Sequence, residues 1–449
     1  MDILVLNSGS SSMKYILYRW EKRAAIAKGI VERVGMDGSS VSHEVIGQDA
    51  LKVTRNCPNH KKAVDIIIEV LTGSDKPVIK DIGQISAVGH RVVHGGEKFN
   101  KSIVIDKNAL HTFKELSNLA PLHNPPNITG IEAAREVLPR IPHIAIMDTA
   151  WHQTMPDYSY IYALPYSWYR NHAIRRYGFH GTSFLYTAKR ASVLLGKDPF
   201  KTNLVIAHLG NGVSFNAVKN GISVDTSMGF TPLEGAVMGT RAGDHDAAID
   251  LYMMDTLGVS TDEMNTILNK KSGLLGITEK YIDRRDILKA ASEGDKRAQL
   301  ALEVETYRGK KYIGAYAAAL GNVDALVFTA GVGEMSPQIR EKMTANLDIL
   351  GIRIDRDKNH ISISRNIETD ITAKEAKIKV FVIPTDEELV MVEDTVALLE
   401  GTYDIHTNFT YSFQSPEYTN SLREEAFERE AVSHPELKSI RARAARHQE

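Results

Sequence analysis

The chain has 449 residues, enough for two or three domains with sizeable cores, and 54 Lys+Arg against 56 Asp+Glu leave a formal net charge of -2. That balance excludes a broad basic field for nucleic acid or an anionic membrane surface; with no membrane-length apolar run and no signal-peptide pattern, a cytoplasmic protein is expected. A single cysteine, Cys57, excludes an intrachain disulfide framework, and no Cys/His cluster has zinc-finger spacing.

From the N-terminus, Ile3 to Leu6 is a continuous apolar run suited to a strand buried on both faces, and Tyr15 to Tyr18 resumes the β-prone character. The intervening "NSGSSSMK" reads as a tight strand-to-strand turn. "NLAPLHNPPNITG" and "ALPYSWYRNHAIRRYGFHGTS" read as loops, and long irregular segments of this kind often form sites. Thr182 to Leu195 has apolar residues at helical spacing. A second copy of the opening follows in "NLVIAHLGNGVSFNAVKNGISVDTS": strand, Gly-Asn-Gly turn, strand Val213 to Val218, Asn220-Gly221 hairpin, strand. Arg297 to Leu320 predicts a long helix. In "DALVFTAGVGEMSPQIRE" a strand runs through a glycine turn into a helix with Ser336 as N-cap and Pro337 at its first position. Strands and helices alternate, so the class is α/β, built from two duplicated halves. Beyond Gly401 the chain is highly charged, and a solvent-exposed extension is expected.

Backbone N–H groups of consecutive Gly and Ser residues converge readily on a phosphate, although each turn read alone could be an ordinary hairpin. There is no G-x-x-x-x-G-K-[ST], no G-x-G-x-x-G opening a helix, and no protein-kinase H-R-D or D-F-G pair, so those nucleotide folds are excluded. His90 and His94 in "HRVVH" lack the Glu of a zinc-protease helix and sit in a β-prone run, so no zinc is assigned.

The segments "NSGSSSMKY", "GHRVVHGGEKF", "LAPLHNPPN", "MDTAWHQTMP", "YGFHGTS", "AHLGNGVS", "DTSMGFTPLEG", "MGTRAGD" and "PTDEEL" together resemble the acetate kinase family over roughly residues 1 to 400. That family lies in the acetate and sugar kinase, Hsp70 and actin superfamily. The resemblance implies two duplicated ribonuclease H-like domains with a nucleotide cleft between them. It places a first domain at 1–148, completed by a returning helix at 385–402, and a second at 149–384 with the nucleotide site and homodimer contacts. The charged 403–449 extension falls outside it and is expected to be dispensable for folding and chemistry.

The implied reaction is reversible transfer of the ATP γ-phosphoryl group to acetate, giving acetyl phosphate and ADP. The alternatives are a kinase for propionate or another short carboxylate, and a non-enzyme, Hsp70- or actin-like ATP-driven binding protein. Arg91, Arg241, His180 and Asp148 are implied as catalytic. A guanidinium stays charged and grips carboxylate or phosphate bidentately, which suits Arg91 to the acid and Arg241 to the transferring group. Asp148 is expected to orient Arg241 or the acid. Val93, Leu122, Phe179 and Pro232 match the family's methyl pocket, and His123 and Asn124 are expected along the phosphoryl path. Lys14, His208, Leu209 and Gly210-Asn211-Gly212 are implied at the phosphates. Asp283, Arg284, Arg285, Gly331, Val332, Gly333, Glu334 and Met335 are implied around the nucleoside. Asn7 and Glu387 match the positions for Mg²⁺, with Mn²⁺ as an alternative. Met335 stands where many members carry Asn; it is expected either to face the purine or to pack beneath the following helix.

Overall fold

The computed structural model describes residues 1–73, 77–119 and 124–444, which fall into two compact units. One comprises Met1–Gln153, Asp386–Tyr411 and Asn420–Leu422; the other comprises Thr154–Thr385, Ser412–Thr419 and the chain from Arg423 onward.

In the first unit, strands β1 (Asp2–Ser8), β2 (Ser12–Arg19), β3 (Ala24–Glu32), β4 (Ser40–Val45) and β5 (Leu51–Thr54) run antiparallel in succession. β6 (Ile85–Val92), β7 (Ile103–Val104) and β8 (His143–Met147) complete an eight-stranded sheet of order β5-β4-β3-β2-β1-β6-β8-β7. β1 is buried almost throughout because it is central, flanked by β2 and by the parallel β6. The polar knot after it closes a tight turn, with Gly9 N–H donating to the Ser12 carbonyl at 2.8 Å. Helix α1 (His60–Thr72) is capped by the Asn59 side chain and buries Ala63, Val64, Ile66, Ile67 and Leu71, the one-sided spacing of an amphipathic helix on a sheet. Helix α2 spans Lys107–Glu115 and α3 spans Asn124–Val137. The loop expected at 118–130 is thus helical from Asn124. Pro125 and Pro126 sit in the first turn, where no intrahelical N–H bond is lost.

The second unit contains α4 (Gly181–Leu195), β9 (Leu204–Leu209), β10 (Val213–Lys219), β11 (Ile222–Thr226), α5 (Ala247–Leu257), α6 (Arg284–Ser292), α7 (Lys296–Leu320) and β12 (Ala325–Thr329). It continues through α8 (Ala330–Met335), α9 (Pro337–Thr344), β13 (Thr369–Asp370) and β14 (Lys379–Val382). Its sheet runs β11-β10-β9-β12-β14-β13. Order and polarity match β3-β2-β1-β6-β8-β7 of the first unit: an antiparallel hairpin, two parallel strands, then an antiparallel edge. The duplication expected from the repeated strand-turn-strand pattern is present in the topology.

The chain then returns as α10 (Glu387–Leu399), which packs on β1 and β6, and ends with α11 (Ser421–Ser433) and a short turn of helix. The C-terminal segment is not the solvated extension expected from its charge. Tyr411, Phe413 and Phe427 are fully buried, and Phe427 and Ala431 join Ile367, Leu437 and Ile440 in a small core of their own. In the second unit Arg190 of α4 pairs bidentately with Glu368 and donates to the Phe413 carbonyl at 2.8 Å. Each buried aromatic is worth roughly 2 kcal/mol, so the segment contributes to folding. The charge reading missed it because Tyr411 and Phe413 precede the charged helix, and that helix buries only Phe427 and Ala431, a narrow i, i+4 stripe.

Candidate active site

In the first unit the site is built on strand ends. Asn7 and Lys14 face each other in the β1–β2 register, one on each side of the serine-glycine turn. Arg91 lies near the end of β6, and Asp148 immediately follows the neighbouring parallel strand β8. The Asp148 N–H donates to the Val92 carbonyl at 3.0 Å, which fixes the carboxylate beside the guanidinium. Arg91 then donates from Nε to Oδ1 at 2.9 Å and from Nη2 to Oδ2 at 2.6 Å, a fork that leaves little torsional freedom. The carboxylate is buried and the guanidinium only partly so. Asp148 chiefly, with Glu387 and Glu388 adding, holds the Arg91 pKa above the ordinary value against the opposing effect of burial. Asp148 was expected on Arg241 or the acid; its partner is Arg91.

Asn7, Lys14, Arg91, Glu387 and Glu388 line one recess of about 200 Å³. Asn7 and Glu387 are both oxygen donors, and a cation as small as Mg²⁺ keeps most of its waters and takes phosphate oxygens, so two protein groups fit it. Among the described residues no cluster of three or more His, Cys, Asp or Glu could hold a metal by protein side chains alone.

Two asparagines support this half from beneath. Asn127 Oδ1 accepts from the Val93 N–H at 2.9 Å and its Nδ2 donates to the Ser8 carbonyl at 2.7 Å, tying the first turn to the end of β6. Asn124, expected along a phosphoryl path, is fully buried, accepts from the His94 N–H and donates to the His94 carbonyl. It is a backbone staple. Leu122 and His123 lie outside the described residues. The Asn127 link was missed because Ser8 and Asn127 are far apart in sequence, and no local spacing pairs them.

In the second unit, His180 precedes α4 with a positive φ of 58°, and its ring stacks on that of His208 at 4.0 Å between centroids. Nδ1 of His180 is bonded to the Ser214 hydroxyl and Nδ1 of His208 to the Ser183 hydroxyl, each at 2.8 Å. Both serines stand inside the motifs "GNGVS" and "GFHGTS", where their role was legible but not read. Gly210 N–H donates to the Gly212 carbonyl at 3.0 Å, closing the β9–β10 turn. A Cβ on Gly212 would lie 2.6 Å from Nη2 of Arg241 and 3.4 Å from the His180 ring, so glycine is what lets those side chains approach. A Cβ on Gly239 would meet Oδ1 of Asn211 at 2.1 Å, so the same turn seats the loop carrying Arg241.

Arg241 Nη1 donates to the Pro232 carbonyl at 2.7 Å, and burial lowers the guanidinium's pKa. Among the described residues no carboxylate pairs with it. Of the expected methyl-pocket residues, Phe179 is buried and Pro232 half-buried in this unit, while Val93 is half-buried in the first. Leu209 points its side chain into the core, leaving only its backbone for a ligand.

Asp283 caps α6 and forms an exposed bidentate pair with Arg285, which holds the carboxyl down to about 2. Arg284, expected with them, is turned inward onto Glu305 as a buried ion pair. Gly331-Val332-Gly333 is not a turn: the residues are helical within α8, which starts at Ala330 with a φ of 63°. Ser336 separates α8 from α9 and makes no side-chain cap. Glu334 is buried, its pKa raised by burial, and accepts from the Thr385 N–H at 3.3 Å. Met335 is 41% exposed, so it does not fill a gap beneath the helix.

Two sheets sharing a six-strand order, each with a small-residue turn beside an arginine, define a duplicated α/β protein. The chain belongs to the acetokinase family, whose model matches residues 2–393. It is 56% identical over 421 residues to an acetate kinase of Geobacter metallireducens, covering 94% of this chain and 100% of that protein. The crystal structure of Porphyromonas gingivalis acetate kinase is 43% identical with a TM-score of 0.84, covering 89% of this chain and 99% of that one. A propionate kinase structure from Francisella tularensis is 40% identical with a TM-score of 0.82, covering 88% and 98%.

Proposed function

We propose that the chain is an acetate kinase, moving the γ-phosphoryl group of ATP to acetate and back. The observation that carries the residue roles is the difference between its two arginines. One is locked on a carboxylate in a recess with two further acids; the other is half-buried against a backbone carbonyl with no carboxylate partner among the described residues. Family membership and the relatives' identity support the reaction class and ATP/ADP as co-substrate.

In this reading a carboxylate oxygen of acetate attacks the γ-phosphorus in line while the bond to the β-phosphate bridging oxygen breaks, giving acetyl phosphate and ADP. Acetate is already ionised, so no general base is needed. Arg91, oriented by Asp148, holds the acid or the acyl phosphate. Arg241 and His180, the latter fixed by Ser214, stabilise charge on the equatorial oxygens of the transferring group. Lys14 and the Gly210-Asn211-Gly212 backbone hold phosphates, and Asp283, Arg285 and α8 surround the nucleoside. Asn7 and Glu387 would hold Mg²⁺, which when bound would supply charge neutralisation at the nucleotide phosphates.

The match of the bulky Val93, Phe179 and Pro232 to the family's methyl-pocket positions favours acetate over propionate, even though the fold matches enzymes of both names. Exposed apolar side chains concentrate in the second unit, among them Leu251, Tyr252 and Leu257 of α5 and Tyr307 of α7. They support a homodimer formed through that unit. No described helix is long and apolar enough to cross a membrane; with the neutral charge balance, this supports a cytoplasmic enzyme. The test is a hydroxamate assay for acyl phosphate with ATP, Mg²⁺ and acetate, propionate or butyrate. Acetate is expected to give the highest kcat/KM, and equal or better use of butyrate overturns the acid assignment.

A further inference from the structure

The crossing from β14 to α10 is held by the C-terminal segment at consecutive residues. Arg423 of α11 donates from Nη1 to the Pro384 carbonyl at 2.9 Å and from Nη2 to the Thr385 carbonyl at 2.6 Å. The next residue, Asp386, caps α10: its Oδ1 accepts from the Leu389 N–H at 3.1 Å and its Oδ2 from Asn420 Nδ2 at 3.0 Å. Glu387 follows as the first residue of the helix. Further along α10, Asp394 is buried between the Ser102 hydroxyl at 2.6 Å and the Tyr411 hydroxyl at 2.8 Å, so the same C-terminal segment grips the helix a second time. Charge-assisted bonds from a planar guanidinium to two successive carbonyls fix the peptide planes on which the direction of the next side chain depends.

We propose that Asn420 and Arg423 are positioning residues that set the direction of Glu387 toward a divalent cation. The assignment rests on Glu387 holding that cation. Partners one shell out from a metal ligand govern affinity because the ligand must be presented at a fixed angle, and their loss costs about 10- to 100-fold in metal affinity or activity; Asn420 and Arg423 act through the backbone from Pro384 to Asp386, so the lower end of that range applies. The family match ends at residue 393, so the device is supplied by chain beyond the matched region.

The experiment uses the full chain and compares Arg423→Gln, Arg423→Lys, Asn420→Ala and Glu387→Gln. Binding of Mn²⁺ to the enzyme–ADP mixture is followed by the loss of its free-ion EPR signal. The Mg²⁺ concentration for half-maximal turnover and the acetate KM are measured alongside. Arg423→Gln is expected to weaken Mn²⁺ binding by about tenfold and raise the Mg²⁺ requirement in step, with the acetate KM changed less than twofold. Arg423→Lys should recover part of the loss. Asn420→Ala should give a smaller shift in the same direction, and it carries the test if Arg423→Gln does not fold, because Asp386 keeps its bond to the Leu389 N–H. Unchanged Mn²⁺ affinity in Arg423→Gln and Asn420→Ala, with Glu387→Gln impaired, overturns the positioning role. Unchanged affinity in Glu387→Gln overturns the metal assignment beneath it. Equal losses for Mn²⁺ and acetate show general structural support and also overturn the proposal.

Discussion

The first unit neutralises its arginine and the second does not. Arg91 is immobilised by a buried carboxylate that stabilises its charge, so it presents a rigid but electrically damped surface. Arg241, half-buried, donates to the Pro232 carbonyl and among the described residues pairs with no carboxylate, and desolvation lowers its pKa. A paired cation suits a substrate whose charge does not change during reaction; an unmatched one suits a group on which charge develops.

The largest effect should come from the unmatched side. Arg241→Ala is expected to lower kcat by about 10²–10³-fold, as when one preorganised transition-state donor is removed, without lowering the melting temperature, since a desolvated charge is removed and only the Pro232 carbonyl, with no carboxylate, is left behind. Rate and calorimetric measurements on the same preparation check this; near-normal turnover at saturating substrate would reverse the assignment of roles.

Arg91→Ala should behave in the opposite way. It leaves Asp148 buried and alone, which costs on the order of 3 kcal/mol of stability, and it raises the acetate KM by about 10- to 100-fold, the worth of a hydrogen bond to a charged group. Denaturant unfolding and acetate saturation curves read the two losses separately. A double variant with Asp148→Asn should regain stability but not affinity.

Gly212→Ala sharpens the comparison without touching any charge. The added methyl must displace Nη2 of Arg241, and a misplacement approaching 1 Å costs up to about 10²-fold, so kcat should fall on the order of tenfold with the acetate KM steady. Unchanged kcat would mean that Arg241 need not occupy its observed position.

The smallest effect is expected at Met335. Its exposure places the thioether where a ligand or solvent can meet it, and an exposed contact is worth about 1 kcal/mol or less. Met335→Asn should change the KM for ATP or GTP within about fivefold and leave the acetate KM alone. Steady-state titrations with both nucleotides decide it, and a change confined to acetate would remove Met335 from the nucleoside region.

The sequence by itself determined the parts of the protein set by local chemistry. Apolar runs fixed β1, β9 and β12, the small-residue turns fixed the two hairpins, and the repetition of that pattern fixed the duplication of the sheets. Arg91 and Arg241 were legible as candidate site residues because each stands among glycines in its own motif. Which partner each takes was not legible. Asp148 reaches Arg91 only because β6 and β8 are parallel neighbours in register, and Asn127 reaches Ser8 only because α3 packs under β1. The inward turn of Arg284 onto Glu305 likewise depends on how α6 lies against α7. The C-terminal segment shows the same limit most plainly. Its composition is that of a solvated tail, and only tertiary contacts, with Arg190, Pro384 and Asp394 as partners, make its few aromatic and polar groups part of the fold. Local pattern carries propensity and period; pairing between residues distant in sequence is decided by packing, and the chemistry of this site lies in such pairs.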